Sequence, residues 1–200
     1  MIGKILKNKK IIFVMGEQKR EASYFLDFVL KDDFSVVKIN NTPSFFNIFS
    51  LIKSDVVIFQ DNEAVNFEKV KKFLHHFSSC IFVITKLENR SRVRTMLSGF
   101  KKEWSIVSDF SMSKKLEKRK TKETLTFGID RKKANIYITD ISVREGNTNF
   151  KVNSKLNIVP FWVKKELKKR EIYSILPGLC VAKIMDLNLA EISYRVKEER

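Results

Sequence analysis

Short, continuous apolar runs separated by amphipathic stretches constrain this chain most. Ile11–Met15 (IIFVM) ends at Gly16, and Asp55–Gln60 (DVVIFQ) and Cys80–Thr85 (CIFVIT) follow the same pattern. A strand that is apolar at every position is buried on both faces, as in a parallel sheet covered by helices. Phe34–Ile39 and Trp104–Val107 read as two further strands. Between them, Ala22, Phe25, Leu26 and Val29 fall at helical spacing, as do Phe67, Val70, Phe73, Leu74 and Phe77, and then Val93, Met96, Leu97 and Phe100. Phe45–Ile52 reads as a shorter helix. Strands alternating with helices predict an open, mostly parallel α/β sheet with helices on both faces.

The pattern changes after residue 110. Residues 111–124 are polar and basic and read as a connector. Asn135–Arg144 alternates, Glu145-Gly146-Asn147-Thr148 turns, and Asn149–Val152 returns, which is a β-hairpin signal. Pro160–Arg170 is ambiguous, since Pro160 suits a helix start and Val159–Val163 suits a strand. Ser174 is a candidate N-cap for a helix running to about Asp186, with Pro177 in its first turn, and Ala190–Ile192 suggests a short last helix. The expected organisation is one domain over 1–200: an α/β core at 1–110, the connector at 111–124, then hairpin and closing helices at 125–200.

An apolar share of 44% excludes a wholly disordered chain. No apolar run is long enough to span a bilayer, and Ile11–Met15 is too short for a signal-peptide core, so a cytoplasmic location is expected. Cys80 and Cys180 lie in apolar segments outside any CxxC and read as buried thiols. His75 and His76 are adjacent, so a helix would point them apart, and no metal site is expected. The 39 basic residues outnumber the 23 acidic ones, giving a net charge of +16. Such a field attracts polyanions, nucleic acid among them. Lys114, Lys115, Lys118, Arg119 and Lys120 form one dense place, and Lys164, Lys165, Lys168, Lys169 and Arg170 another. Phe161 and Trp162 stand beside the second, where aromatics either stack bases or pack into a core. Solvated surface is the alternative reading of both charge clusters.

The order is strand, glycine, helix and further α/β units. Leu125-Thr126-Phe127-Gly128 follows, with the hairpin region Ala134–Val152 and the segment Tyr173–Ile192 (YSILPGLCVAKIMDLNLAEI) after it. This order resembles the central domain of Mur ligases, the ATP-dependent amide ligases of peptidoglycan precursor synthesis. The branch that adds the terminal dipeptide to the UDP-MurNAc-tripeptide is the most similar. Family enzymes also carry a UDP-sugar-binding domain before this one and a smaller domain after it, and 200 residues leave room for neither.

The resemblance also implies where ATP and Mg²⁺ would sit, and there the sequence departs from the family. The phosphate loop needs Gly-Lys-Thr/Ser, because glycine lets backbone N–H groups approach, lysine neutralises charge and the hydroxyl ligates Mg²⁺. After Gly16 these places fall to Lys19, Arg20 and Glu21. A carboxylate ~4 Å from a phosphate costs about 4 kcal/mol at an effective dielectric near 20. The Mg²⁺-binding glutamate after the third strand is replaced by Gln60, with Asp61 and Glu63 as the only nearby substitutes. The family's His-Asn pair is absent around Arg170 and Glu171, and Ser174 stands where a further asparagine is expected. Gly16, Lys19 and Arg20 are therefore candidates for a degenerate nucleotide-binding loop, with no catalytic and no metal residues. The expected function is a non-catalytic, Mur-ligase-like binding or scaffold module without a cofactor, whose partner is another protein, possible ties being to peptidoglycan precursor synthesis. One alternative is a nucleic-acid-binding basic protein. The other is a divergent ATP- and Mg²⁺-dependent ligase that needs a partner chain.

Overall fold

Lys10–Met15 (β1) contains five consecutive buried residues, so only the interior of a sheet can accommodate it. The computed structural model describes residues 6–40, 51–61, 67–86, 103–116, 121–155 and 157–198. The expected helices over 45–52 and 93–100 lie outside these residues in whole or in large part. β1 pairs in parallel with Val56–Gln60 (β3) on one side and Ser79–Ile84 (β4) on the other. Val36–Ile39 (β2) forms the edge beyond β3. Ser105–Asp109 (β5), Glu123–Ile129 (β6), Ile136–Arg144 (β7), Asn147–Ser154 (β8) and Ile158–Val163 (β9) extend the sheet the other way, in the order β2-β3-β1-β4-β5-β6-β7-β8-β9. The pairing is parallel from β2 to β7 and antiparallel across β7, β8 and β9.

Alternate residues of the buried strands feed two cores. Ile12, Val14, Val56 and Ile58 pack with Lys19–Leu30 (α1), Lys169–Ile184 (α4) and Leu189–Glu198 (α5). Ile11, Phe13, Val57 and Phe59 face Phe67–Leu74 (α2) and the short Ser113–Leu116 (α3) through Val70, Leu74 and Leu116. The expected α/β sheet with helices on both faces, followed by a hairpin and a closing helix, is what forms.

Three local expectations are corrected. The ambiguous segment around Pro160 is strand β9, where proline is tolerated because β9 is the last strand of the sheet. The closing helix α4 starts at Lys169, ahead of Ser174. Glu171 caps it, its Oε2 accepting the Lys168 N–H at 2.8 Å while the Lys168 carbonyl accepts the Glu171 N–H at 2.9 Å. Pro177 thus falls inside the helix, where it removes one backbone bond, and burial of Ile172 and of residues 174–182 holds the helix through the gap. The third concerns the end of the expected connector at residue 124, since β6, which contains Thr-Phe-Gly, already begins at Glu123.

β6 and β7 are parallel although only residues 130–135 join them. Ile136 lies beside Phe127, so the chain steps back only ~7 Å, two residues at the strand rise of ~3.3 Å. Asp130 begins the reversal at φ 54°. Asn135 closes it, its Oδ1 accepting the Thr126 N–H at 2.8 Å and the Thr126 hydroxyl at 2.9 Å. Asn135→Ala is expected to cost about 1–3 kcal/mol, because a nearly buried N–H loses its acceptor. Urea denaturation checks this, and an unchanged midpoint would show that the loop closes without the amide.

Candidate strand-end site

In an open parallel sheet, loops at the carboxyl ends of the strands converge on a crevice where ligands bind. Here that edge holds a cavity of about 580 Å³ between the ends of β1, β4, β5 and β6 and the start of α4. Gln18, Lys86, Asp109, Arg131, Lys169 and Tyr173 are among its walls.

On the β1 side, the chain passes from strand to helix through residues 16–18 alone. The turn is tied to the end of β4. The Glu17 N–H donates to the Lys86 carbonyl at 2.9 Å, and the Gln18 N–H donates to the Thr85 hydroxyl oxygen at 3.3 Å. That hydroxyl donates to the Met15 carbonyl at 3.0 Å, and the Lys19 N–H bonds back to the Gly16 carbonyl at 3.3 Å. Backbone donors that a phosphate loop offers to its ligand are thus taken by the protein itself. Gly16 adopts φ 108°, and a Cβ there would stand 2.3 Å from Thr85 Oγ1. The glycine serves this close packing.

The candidate loop residues part company. Lys19 is half-buried, whereas Arg20 is exposed and lines a different groove with Tyr24, Phe25 and Glu171. Glu21, in the family's hydroxyl position, pairs with Arg170 at 3.0 Å. Both partners are substantially exposed, so the pair contributes at most about 1 kcal/mol, but it joins the starts of α1 and α4. Gln60 ends β3, and Asp61 next to it is buried, its N–H bonded to the Val14 carbonyl at 2.8 Å. Glu63 lies outside the described residues.

Cations line much of the cavity. Lys86, Lys114, Arg131 and Lys169 line it and form no ion pair among the described residues, while Arg170 beside them is engaged with Glu21. Asp109 is the single carboxylate in the lining among the described residues, and both its oxygens are occupied: Oδ1 accepts the Ser111 N–H at 2.8 Å and Oδ2 accepts the Tyr173 hydroxyl. Burial pushes the Tyr173 phenol far above the tyrosine range, with the Asp109 hydrogen bond and charge adding to it, so this bond keeps its proton. Gly128 of the Thr-Phe-Gly makes room for Arg131, whose Cγ would lie 2.7 Å from a Cβ at that position. On the β1 side, Gln18 Oε1 is buried without a partner among the described residues.

The basic residues singled out from the sequence do not form one patch. Lys114, Lys169 and Arg170 meet at the cavity, Lys165 pairs with Glu171 at 3.3 Å, Lys168 precedes α4 with its N–H bonded to Glu171, and Lys164 follows β9 and lines a separate groove beside the hairpin turn. Lys118, Arg119 and Lys120 are outside the described residues, as is the Lys115 side chain. Lys86, Asp109, Arg131 and Tyr173 carry no signal of their own in the sequence. The first three follow or end a strand, so the strand-end rule applied to each run would find them, whereas Tyr173 requires the start of α4.

Sheet order, the antiparallel extension and the closing helix together define the fold of a Mur-ligase central domain. No family model and no curated protein matches the sequence. Among solved structures, the chain superposes on the MurF ligase from Thermotoga maritima, solved in complex with ADP, with TM-score 0.73 at 13% identity, covering 100% of this chain and 51% of that one. MurF from Acinetobacter baumannii gives TM-score 0.73 at 9% identity, with 100% and 48% covered. Folylpolyglutamate synthetase from Lactobacillus casei gives 0.63 at 11%, with 98% and 64% covered. At these identities the likeness is one of fold. The chain spans about half the length of the MurF ligases. Among the described residues, no helix is long and apolar enough to cross a membrane.

Proposed function

We propose that this chain is a non-catalytic binding module on the Mur-ligase central-domain fold, with a strand-end cavity that receives a small anionic ligand. The closed Gly16–Lys19 turn carries the reading. Its donors are spent on Lys86, Thr85 and Gly16, and Glu21 with Arg170 occupies the place of a Mg²⁺-binding hydroxyl. Four cations that line the cavity without ion pairs among the described residues support an anion held from the β4, β6, α3 and α4 side instead. A contact with another protein fits a turn whose donors are engaged within the chain, and peptidoglycan precursor synthesis is the setting that the likeness of fold suggests.

Thermal unfolding with inorganic triphosphate, without Mg²⁺, tests the proposal. Ligand at 100 times its dissociation constant adds about 2.7 kcal/mol, a rise of roughly 5–10 °C for a chain of this size. The Lys86→Glu/Arg131→Glu variant is expected to lose that rise. Stabilisation by ATP that requires Mg²⁺ and is accompanied by phosphate release would return the chain to the ligases. No rise with triphosphate would remove the anionic ligand.

A further inference from the structure

Phe161 and Trp162 are neighbours with opposite fates. Phe161 is buried and stacks on Phe150 at 5.4 Å, whereas Trp162 is 48% exposed. The inward face of β7–β9 packs Ile136, Ile138, Phe150, Val152 and Phe161 against α4 and α5. Trp162 stands on the other face, at the wall of a 410 Å³ groove that runs past the edge strand β9 to Lys197 of α5. Arg144, Lys164 and Lys197 line the groove and form no ion pair among the described residues, where Glu145 is its only carboxylate. Asn149 lies directly across the ladder from Trp162, and its side-chain amide has no partner among the described residues.

Three elements hold this arrangement. Glu145 at φ 49° and Gly146 at φ 77° form a two-residue turn that sets Arg144 opposite Asn147. The buried Thr148 hydroxyl donates to the Lys165 carbonyl at 2.7 Å and accepts the Leu167 N–H at 2.8 Å, pinning the segment that carries Lys164. The Ser193 hydroxyl donates to the Pro160 carbonyl, so α5, with Lys197 in its last turn, is fastened to β9.

The chemistry is that of a chain that is both flat and anionic. An exposed indole stacks on any base, cations beside it meet backbone phosphates, and a free amide reaches a base edge. Bases within a duplex are not available to such a ring, and aromatics on an open sheet face are a recognised way of reading single strands. Ile158 is exposed on the same face of β9, but the residues around Trp162 itself are Arg144, Asn147, Asn149, Lys164 and Lys197, which favours a nucleic-acid strand over a lipid surface. We infer that the open face of β7–β9 binds single-stranded nucleic acid, one base stacking on Trp162 and the neighbouring phosphates meeting Arg144, Lys164 and Lys197. This site is separate from the strand-end cavity, and the net charge of +16 favours encounter with such a ligand.

Titration of the full chain with a short oligothymidylate at low salt provides the test, followed by intrinsic fluorescence and by anisotropy of a labelled oligonucleotide. The two tryptophans separate the signals, since Trp104 is 2% exposed and stacked on Phe82. Quenching is expected from Trp162, with affinity falling as salt rises. Trp162→Ala is expected to weaken binding roughly 5- to 150-fold, the worth of one stacked base, while Trp162→Phe keeps most of it. The Lys86→Glu/Arg131→Glu variant lowers the net charge from +16 to about +12 and is expected to weaken the encounter slightly but keep the quenching of Trp162, which separates this outcome from the cavity. Undiminished binding by a folded Trp162→Ala chain would overturn the inference. So would quenching of Trp162 by phosphatidylserine vesicles with none by the oligonucleotide, which would make the face a membrane contact.

Discussion

Gly16→Ala is expected to destabilise the chain by about 2–5 kcal/mol, through backbone strain of about 1–2 kcal/mol and overpacking of about 1–3 kcal/mol. Gly16 holds φ 108°, which an L side chain rarely adopts. The added Cβ would also meet Thr85 Oγ1 at 2.3 Å, the Thr85 carbonyl oxygen at 2.9 Å and the Lys86 carbonyl oxygen at 3.0 Å. Two of these atoms belong to the backbone just after β4, so no rotamer change relieves them. Thr85→Ala in the same chain removes the hydroxyl contact and is expected to restore only part of the loss. The melting temperature is expected to fall by roughly 5–15 °C. An unchanged melting temperature would mean that the turn can open, and the closed-turn argument against a phosphate loop would fall with it.

Phe13→Ala is expected to cost about 3–5 kcal/mol, the range for removing a fully buried phenylalanine. Phe13 is the middle of a ring series across neighbouring strands. It stacks on Phe59 of β3 at 5.4 Å and meets Phe82 of β4 at 5.4 Å, and Phe82 stacks on Trp104 at 5.3 Å. The parallel register places Phe13 beside both phenylalanines, so the gap left by its ring would open to both neighbouring strands at once. Phe13→Leu refills most of that volume and is expected to cost clearly less. Urea denaturation of the two variants measures the difference, and equal losses would show that ring stacking and cavity size contribute little here.

The interior of the sheet is legible in the residues themselves. Ile11–Met15, Val56–Phe59 and Cys80–Ile84 suit interior strands, because a short segment without a polar face has no side to give to water. The hairpin is legible too, since alternation on both sides of Glu145-Gly146 leaves few other conformations. The start of α4 is not, because its cap is a glutamate side chain bonded to the N–H of Lys168 in a segment rich in lysine, where periodicity is weak. Nor is the role of Glu21, since whether a carboxylate repels a phosphate or pairs with a distant arginine, here Arg170, depends on what the fold brings near it.

The sequence by itself determined the class of fold and which side chains follow Gly16, because burial pattern and residue chemistry are local properties. Only the tertiary structure decided where the charge acts. Lys86, Arg131 and Lys169 are far apart in the chain and meet because parallel strands deliver their carboxyl ends to one edge. Phe161 and Trp162 are adjacent in the chain and separate because successive residues of β9 face opposite sides of the sheet.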